Sequence, residues 1–363
     1  MENNLQPEIR FSGFKGKWSP RQLKDVSSEF KSGKSINSNN ILSDGLYPVL
    51  GGNGLRGYTN EYTHEGKYAL IGRQGALCGN MNISVGRAYF TEHAIAVRAN
   101  ENNDTGFLYF LLGKMNLGQY SGQSAQPGLA VNKLIELTVN VPSLQEQNRI
   151  NSYFEKLDEA IKLQQQELET LKQTKRGFLQ KMFPKDGETV PEVRFTKFQD
   201  DWVRHELGSL VDKVKSYSLS RDVETTIPTD YRYIHYGDIH TKIAGLVDES
   251  SNLPYIKSGE YQLLAKGDIV LADASEDYQG IATPAVIVTD IPYKLVAGLH
   301  TIALRPNKEL VDPIFLYYMF YSLDFKKYGY RTGTGMKVFG ISATNLLKYE
   351  NVFPSIQEQT KIG

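Results

Sequence analysis

The sequence predicts an α+β protein built as a pseudo-two-fold internal repeat, with two β-rich domains separated by a long coiled-coil helix. Three observations carry this expectation. The chain has 363 residues, which at roughly 150 residues per domain suits two domains better than one. Its two halves repeat a common frame. Between them runs a stretch rich in helix formers.

The repeat is legible residue by residue. Pro7-Glu8-Ile9-Arg10-Phe11 returns as Pro191-Glu192-Val193-Arg194-Phe195, and Trp18 and Leu23 return as Trp202 and Leu207. His93, Ile95 and Arg98 are matched by His300, Ile302 and Arg305, and Phe107-Leu108-Tyr109 by Phe315-Leu316-Tyr317. Each copy closes on the same motif, Val141-Pro142-Ser143-Leu144-Gln145-Glu146-Gln147 and Phe353-Pro354-Ser355-Ile356-Gln357-Glu358-Gln359. The frames agree while the middles differ in length and residues.

Within each copy the apolar runs at 67–72, 94–98, 268–272 and 285–289 read as strands, punctuated by Gly, Pro and Asn. Short helices are expected at 105–114 and 313–321. Glycine-rich Gly51-Gly52-Asn53-Gly54 and Gly333-Thr334-Gly335-Met336-Lys337 read as tight turns, because neither carries the Gly-Lys-Ser/Thr ending that holds phosphate and magnesium.

Residues 146–183 contain no proline and one glycine, Gly177, so a single helix is expected there. Ile150, Phe154, Leu157, Ile161, Gln164, Leu168, Leu171, Lys175, Phe178 and Met182 follow an unbroken 4,3 heptad spacing, the pattern of a coiled-coil seam. Pro184, Asp186 and Gly187 end it. A second helix is expected to begin after Gln357-Glu358-Gln359, and the chain closes at Gly363, which makes that helix a truncated one.

Composition narrows the function classes. The 41 basic and 41 acidic residues cancel, with a small basic excess only in residues 1–144, so any polyanion contact must come from local patches. The single cysteine, Cys78, reads as a small buried hydrophobe, and no Cys/His spacing suits zinc. No stretch reaches the roughly 18 apolar residues of a membrane span and the start lacks an apolar signal core, so a cytoplasmic protein is expected, without membrane contact and without cofactor or metal. Asp268, Asp273, Glu276 and Asp277 read as a solvated acidic loop rather than a nuclease metal site.

The paired Pro-Ser-Leu/Ile-Gln-Glu-Gln motifs, together with Tyr47-Pro48-Val49-Leu50-Gly51-Gly52-Asn53-Gly54, Gly72-Arg73-Gln74-Gly75 and Gly267-Asp268-Ile269-Val270, resemble the specificity subunits of type I restriction-modification systems over nearly the whole chain. The resemblance implies a DNA-reading protein that is not catalytic by itself. It assigns 1–144 and 185–356 to two target-recognition domains, 145–184 to the central coiled coil, and 357–363 to the start of a shortened distal helix. Implied partners are double-stranded DNA, methyltransferase subunits and motor-nuclease subunits, with a homodimer through the unpaired helix as a further expectation. No Asn-Pro-Pro-aromatic or Asp-Pro-Pro-Tyr segment is present, so methyl transfer by this chain is not expected.

Base edges are read by Arg or Lys on guanine and by Asn or Gln on adenine, while Lys, Ser and Thr hold phosphates. In the first copy the loops offering such groups hold Asn53, Arg56, Arg73, Gln74, Arg87, Gln123, Ser124 and Gln126. In the second they hold Arg232, His235, Tyr236, Lys242, Arg331, Thr334 and Lys337. The alternative is a coiled-coil scaffold that binds only proteins, which the zero net charge and strong heptad would suit.

Overall fold

A computed structural model describes residues 7–122, 128–185, 187–277, 280–335 and 338–363. The chain divides into two units, Met1–Gln166 and Glu167–Gly363. One continuous helix, Leu144–Lys181, crosses the division, as the composition of that stretch predicts.

In the first unit an antiparallel sheet runs in the order Ser27–Ser32, Ala94–Ala99, Tyr68–Gly72, Met81–Ser84. Tyr68–Gly72 is buried on both faces, which explains its continuous apolar run. Period-two alternation divides its side chains. Ala69 and Ile71 join the core beneath the helix Thr105–Lys114, and Tyr68 and Leu70 pack with Ala88 and Phe90 on the other face. A second sheet runs Gly54–Thr59, Tyr47–Gly51, Arg87–Phe90, His64–Glu65, with Tyr47–Gly51 and Arg87–Phe90 parallel.

The second unit repeats this plan. Val211–Val214, Thr301–Pro306, Ile269–Ala272 and Pro284–Ile287 are ordered as their counterparts, and Leu246–Val247 adds a fifth strand. In its second sheet Tyr231–Ile234 lies parallel to Lys294–Ala297. Ile269 and Leu271 face one core while Val270 and Ala272 face the other. In each unit a short two-stranded ribbon pairs the segment after the Trp with the strand before the Gln-Glu-Gln motif, Ser19–Gln22 with Thr138–Val141 and Val203–Glu206 with Glu350–Phe353.

That motif makes a matching group of bonds in each copy. Glu146 and Glu358 are each 1% exposed. Glu146 accepts from Arg10 Nε and Nη2, both at 2.6 Å, and Glu358 from Arg194 Nε at 2.7 Å and Nη2 at 2.8 Å. Each Arg also donates to a carbonyl in its own N-terminal loop, Gly16 or Asp200. Gln147 Nε2 donates to the Pro142 carbonyl and its Oε1 accepts from the Asp104 backbone N–H. Gln359 does the same with Pro354 and Asp312. Asp104 and Asp312 are in turn the N-caps of Thr105–Lys114 and Pro313–Met319. One tripeptide thus ties a helix start, an N-terminal loop and a second helix cap together.

Two expectations are corrected. The distal helix is Ile356–Ile362, capped by Ser355, so it starts before Gln357-Glu358-Gln359 rather than after it, because the cap places the motif in the first turn. Asp268 is not part of a solvated loop. It is 1% exposed and holds Arg305 at 2.8 and 2.6 Å. The equivalent Arg98 lies instead over the Tyr68 ring.

The heptad seam is used unevenly. Ile150 packs on the first unit's core and Phe154 on Phe110 at 5.0 Å. Lys175 donates to the Tyr318 hydroxyl at 3.2 Å. Between them Leu157, Ile161, Leu168 and Leu171 are 40–58% exposed. At the helix end Phe183 is buried against Trp202 and Phe315. The equivalent pair in the first unit, Trp18 and Phe107, instead lines an open apolar groove with Phe11, Phe110 and Phe154.

Removing Arg194 would strand the buried Glu358 carboxylate. Arg194→Met is expected to cost about 3–5 kcal/mol in denaturant unfolding, whereas the double change Arg194→Met with Glu358→Met should recover most of it. A double variant no better than the single would contradict this.

Candidate nucleic-acid interface

In the first unit three loops meet at one end of the two sheets. The turn Gly52-Asn53 joins Tyr47–Gly51 to Gly54–Thr59, with Gly54 at φ +97°. A Cβ on Gly52 would lie 2.6 Å from the His93 carbonyl oxygen, and one on Gly72 would lie 2.8 Å from that of Gly52. Glycine at both positions is what lets the Gly-Gly-Asn-Gly turn, the Gly-Arg-Gln loop and the turn before Ala94–Ala99 touch backbone to backbone. The result is a small cleft of about 250 Å³ lined by Asn53, Arg56, Gln74 and His93.

These side chains are not equally available. Gln74 accepts at Oε1 from His93 Nδ1 at 3.1 Å. Arg56 lies across Gly51, where a Cβ would meet its Cδ at 2.7 Å. Arg73 turns back, its Nη1 donating to the Glu92 carbonyl at 3.4 Å. Arg87 sits at the start of its strand, away from the cluster, paired with Glu65 at 3.1 Å and stacked over Tyr62. Gln123, Ser124 and Gln126 lie outside the described residues.

The second unit builds the equivalent end from different side chains. Tyr231–Ile234 leads into the helix Tyr236–His240, whose N-cap is His235. His235 is 6% exposed. Its Nδ1 accepts from the Gly237 N–H, and its own N–H donates to Asp238. Burial pushes its pKa down, which keeps the capping nitrogen an acceptor. His235 therefore serves the backbone. Tyr236 is the side chain that reaches the cluster, its ring edge-on to His240 at 5.9 Å and to His300 at 5.3 Å.

Asp273 follows the central strand and approaches His300, Oδ1 to Nδ1, at 3.2 Å. Burial raises its pKa. Thr334 is held in a backbone bridge to Gly340, and the Ile341 N–H donates to the Asp273 carbonyl, which brings that turn to the same place. Lys242 is exposed, with a left-handed backbone at φ +62°. Arg232 is engaged elsewhere, between the Tyr255 and Tyr293 rings at 4.7 and 4.3 Å and donating to the Ser251 carbonyl. Arg331 lines a separate cleft with Arg204, Asp324 and Lys348. Lys337 lies outside the described residues.

The loops hold hydrogen-bonding groups of both signs on rigid strand ends, which suits recognition of polar edges. Among the described residues no group of three His, Cys, Asp or Glu is placed to hold a metal ion. Four members of these clusters, His93, His240, Asp273 and His300, are absent from the DNA contacts that the sequence suggests. The signal for two of them was present, since His93 and His300 are one of the exact matches between the copies.

The comparisons agree with this doubled plan. The model for the type I restriction modification DNA specificity domain matches residues 15–173 and again 199–363. A relative from Escherichia coli, the type I restriction enzyme EcoprrI specificity subunit, is 44% identical over 134 residues, 36% of this chain and 33% of the relative. A putative specificity subunit from Haemophilus influenzae is 28% identical over 154 residues, 41% of this chain and 40% of its own. This chain thus spans well under two thirds of both. A putative MjaX specificity subunit from Methanocaldococcus jannaschii is 23% identical over 327 residues, 87% of this chain and 71% of the relative. The crystal structure of a type I restriction-modification S subunit from M. genitalium shares the fold with a TM-score of 0.62 at 14% identity, covering 97% of this chain and 88% of that one. A chain from a structural study of type I R-M complex assembly gives 0.53 at 16%, covering 97% and 90%. With one such domain in each half of its internal repeat, the chain belongs to the type I restriction modification DNA specificity family.

Proposed function

We propose that this chain is the DNA sequence-recognition subunit of a type I restriction-modification complex, each unit reading one half of a bipartite target. The observation that carries the reading is the doubled strand-end cluster: one backbone frame, presented twice, with Asn53, Arg56, Gln74 and His93 in one copy and Tyr236, Asp273, His300 and Thr334 in the other. A conserved scaffold with exchanged polar side chains is what two readers of different sequences require. Catalysis on DNA then belongs to the partner subunits, and this chain supplies the address. Docking of methyltransferase subunits is assigned to the exposed seam Leu157, Ile161, Leu168 and Leu171 and to the apolar groove beside Trp18, because such surfaces are buried when a helix finds its partner.

The decisive experiment is methylation mapping in cells carrying this chain with methyltransferase and motor-nuclease subunits. A split motif should appear, and exchanging residues 1–144 for those of a relative should alter one half of it only. Methylation of an unsplit motif, or a change in both halves, would overturn the two-reader model.

Replacing Leu157 and Leu168 together with Asp should lower affinity for the partner subunits, or for a second copy, by at least about 100-fold, from the loss of two apolar anchors. Unfolding should be little changed, because both positions are already exposed. Light scattering and calorimetry decide; unchanged association in the double variant would remove the seam as the docking surface.

Spacer length offers a further check. A seven-residue duplication of 157–163 lengthens a helix by roughly 10 Å while keeping the seam in phase. Mapping should show a spacer about three base pairs longer with both half-motifs intact. A spacer of unchanged length would show that the helix does not set the distance.

A further inference from the structure

His93 and His300 occupy one position in the two copies. In both, the residue that follows the central strand donates its backbone N–H to the histidine carbonyl, Arg73 to His93 at 2.9 Å and Asp273 to His300 at 3.0 Å. In both, Nδ1 faces a side-chain oxygen of the same loop, Gln74 at 3.1 Å or Asp273 at 3.2 Å. Both rings remain half-exposed, 43% and 49%. Two buried core histidines would not look like this.

His300 also has a left-handed backbone, φ +56°, where glycine or asparagine is the ordinary occupant. A strained non-glycine residue with an exposed ring indicates a use for that ring. Its chemistry follows from its neighbours. Asp273 Oδ1 favours the neutral tautomer that donates Nδ1–H to it, and in that tautomer Nε2 is an acceptor. Among the described residues no protein group is placed on that nitrogen, and the Tyr236 ring packs T-shaped against the imidazole with centroids 5.3 Å apart. His93 differs, since its Nε2 faces Glu92 Oε1 at 3.4 Å. The same frame therefore presents different hydrogen-bonding groups in the two copies.

We propose that His300 is a specificity-determining residue of the second unit's reading surface, and that it accepts at Nε2 from the exocyclic amino group of an adenine or cytosine in the major groove. This rests on the DNA-reading function proposed above. It adds which residue reads and by what bond.

The test uses the full chain assembled with its methyltransferase subunits and compares the parent with His300→Gly and His300→Asn, both compatible with the left-handed backbone. Methylation mapping should show one base pair of one half-motif relaxed in the glycine variant, with the other half unchanged and the rate on the parent site reduced about ten-fold. The melting temperature should not fall, because glycine relieves the backbone. If the glycine variant fails to assemble, the asparagine variant carries the same expectation of altered preference at that base pair. On a duplex whose exocyclic amino group is deleted at that pair, parent and variant should bind alike.

An unchanged motif in either variant would overturn the proposal while leaving the DNA-reading function standing. So would a lowered melting temperature with an unchanged motif, which would make His300 only the partner of Asp273. A parent complex that methylates no split motif would overturn both.

Discussion

Each unit depends on a carboxylate that has no access to water. Glu146 and Glu358 lie in the first turn of their helices, 1% exposed, and a buried carboxylate is tolerated only when it is paired and hydrogen-bonded. The guanidinium that satisfies it comes from more than a hundred residues away, from the loop that opens the same unit. The neighbouring glutamine meets a second backbone obligation by accepting from the N–H of the Asp that caps an earlier helix of the same unit. Closing the unit, starting the helix and seating the capped helix therefore all draw on the same tripeptide. This is why the Pro-x-Ile/Val-Arg-Phe and Gln-Glu-Gln motifs repeat together at opposite ends of each copy.

The same dependence explains what could be read from sequence and what could not. The connecting helix, the central strands 68–72 and 269–272, and the helix Thr105–Lys114 were legible because periodicity and propensity are local properties. The doubled plan was legible because Arg10, Trp18 and Glu146 each have a counterpart. Side-chain duty was not. Arg232 and His235 have the right chemistry for a DNA contact, yet one is stacked between two tyrosines and the other is folded under a helix start. Asp268 has the composition of an exposed loop and the environment of a core. The duties of Arg232 and Asp268 turn on Tyr255, Tyr293 and Arg305, residues distant in sequence, whereas that of His235 turns on where the helix begins, which sets its bonds to Gly237 and Asp238.

Glycine supplies the other half of the design. At Gly52 and Gly72 the loops approach so closely that any Cβ would strike a backbone atom, and the glycines keep the frame the same whatever polar residues flank them. Asn53, Arg56 and Gln74 can then change without moving the strand ends beneath them. In the second copy this role passes to a helix start, where the capping box of His235 and Asp238 rigidifies the approach to Tyr236. Two local solutions thus deliver side chains to the same place.

The zero net charge takes its meaning from where the charges are spent. Arg10, Arg194, Arg221 and Arg305 are all committed to carboxylates of their own unit, and Arg232 to aromatic rings and carbonyls. A count of basic residues therefore overstates the cations left for phosphates. Affinity for DNA that rests on phosphate neutralisation scales with the number of such contacts, so on the proposed reading this chain alone has little non-specific hold. Its exposed clusters are instead rich in uncharged hydrogen-bonding groups, which discriminate between bases without adding much general attraction. On the proposed reading a division of labour follows: this chain contributes selectivity, and the partner subunits proposed to dock on the seam contribute the general grip on phosphate.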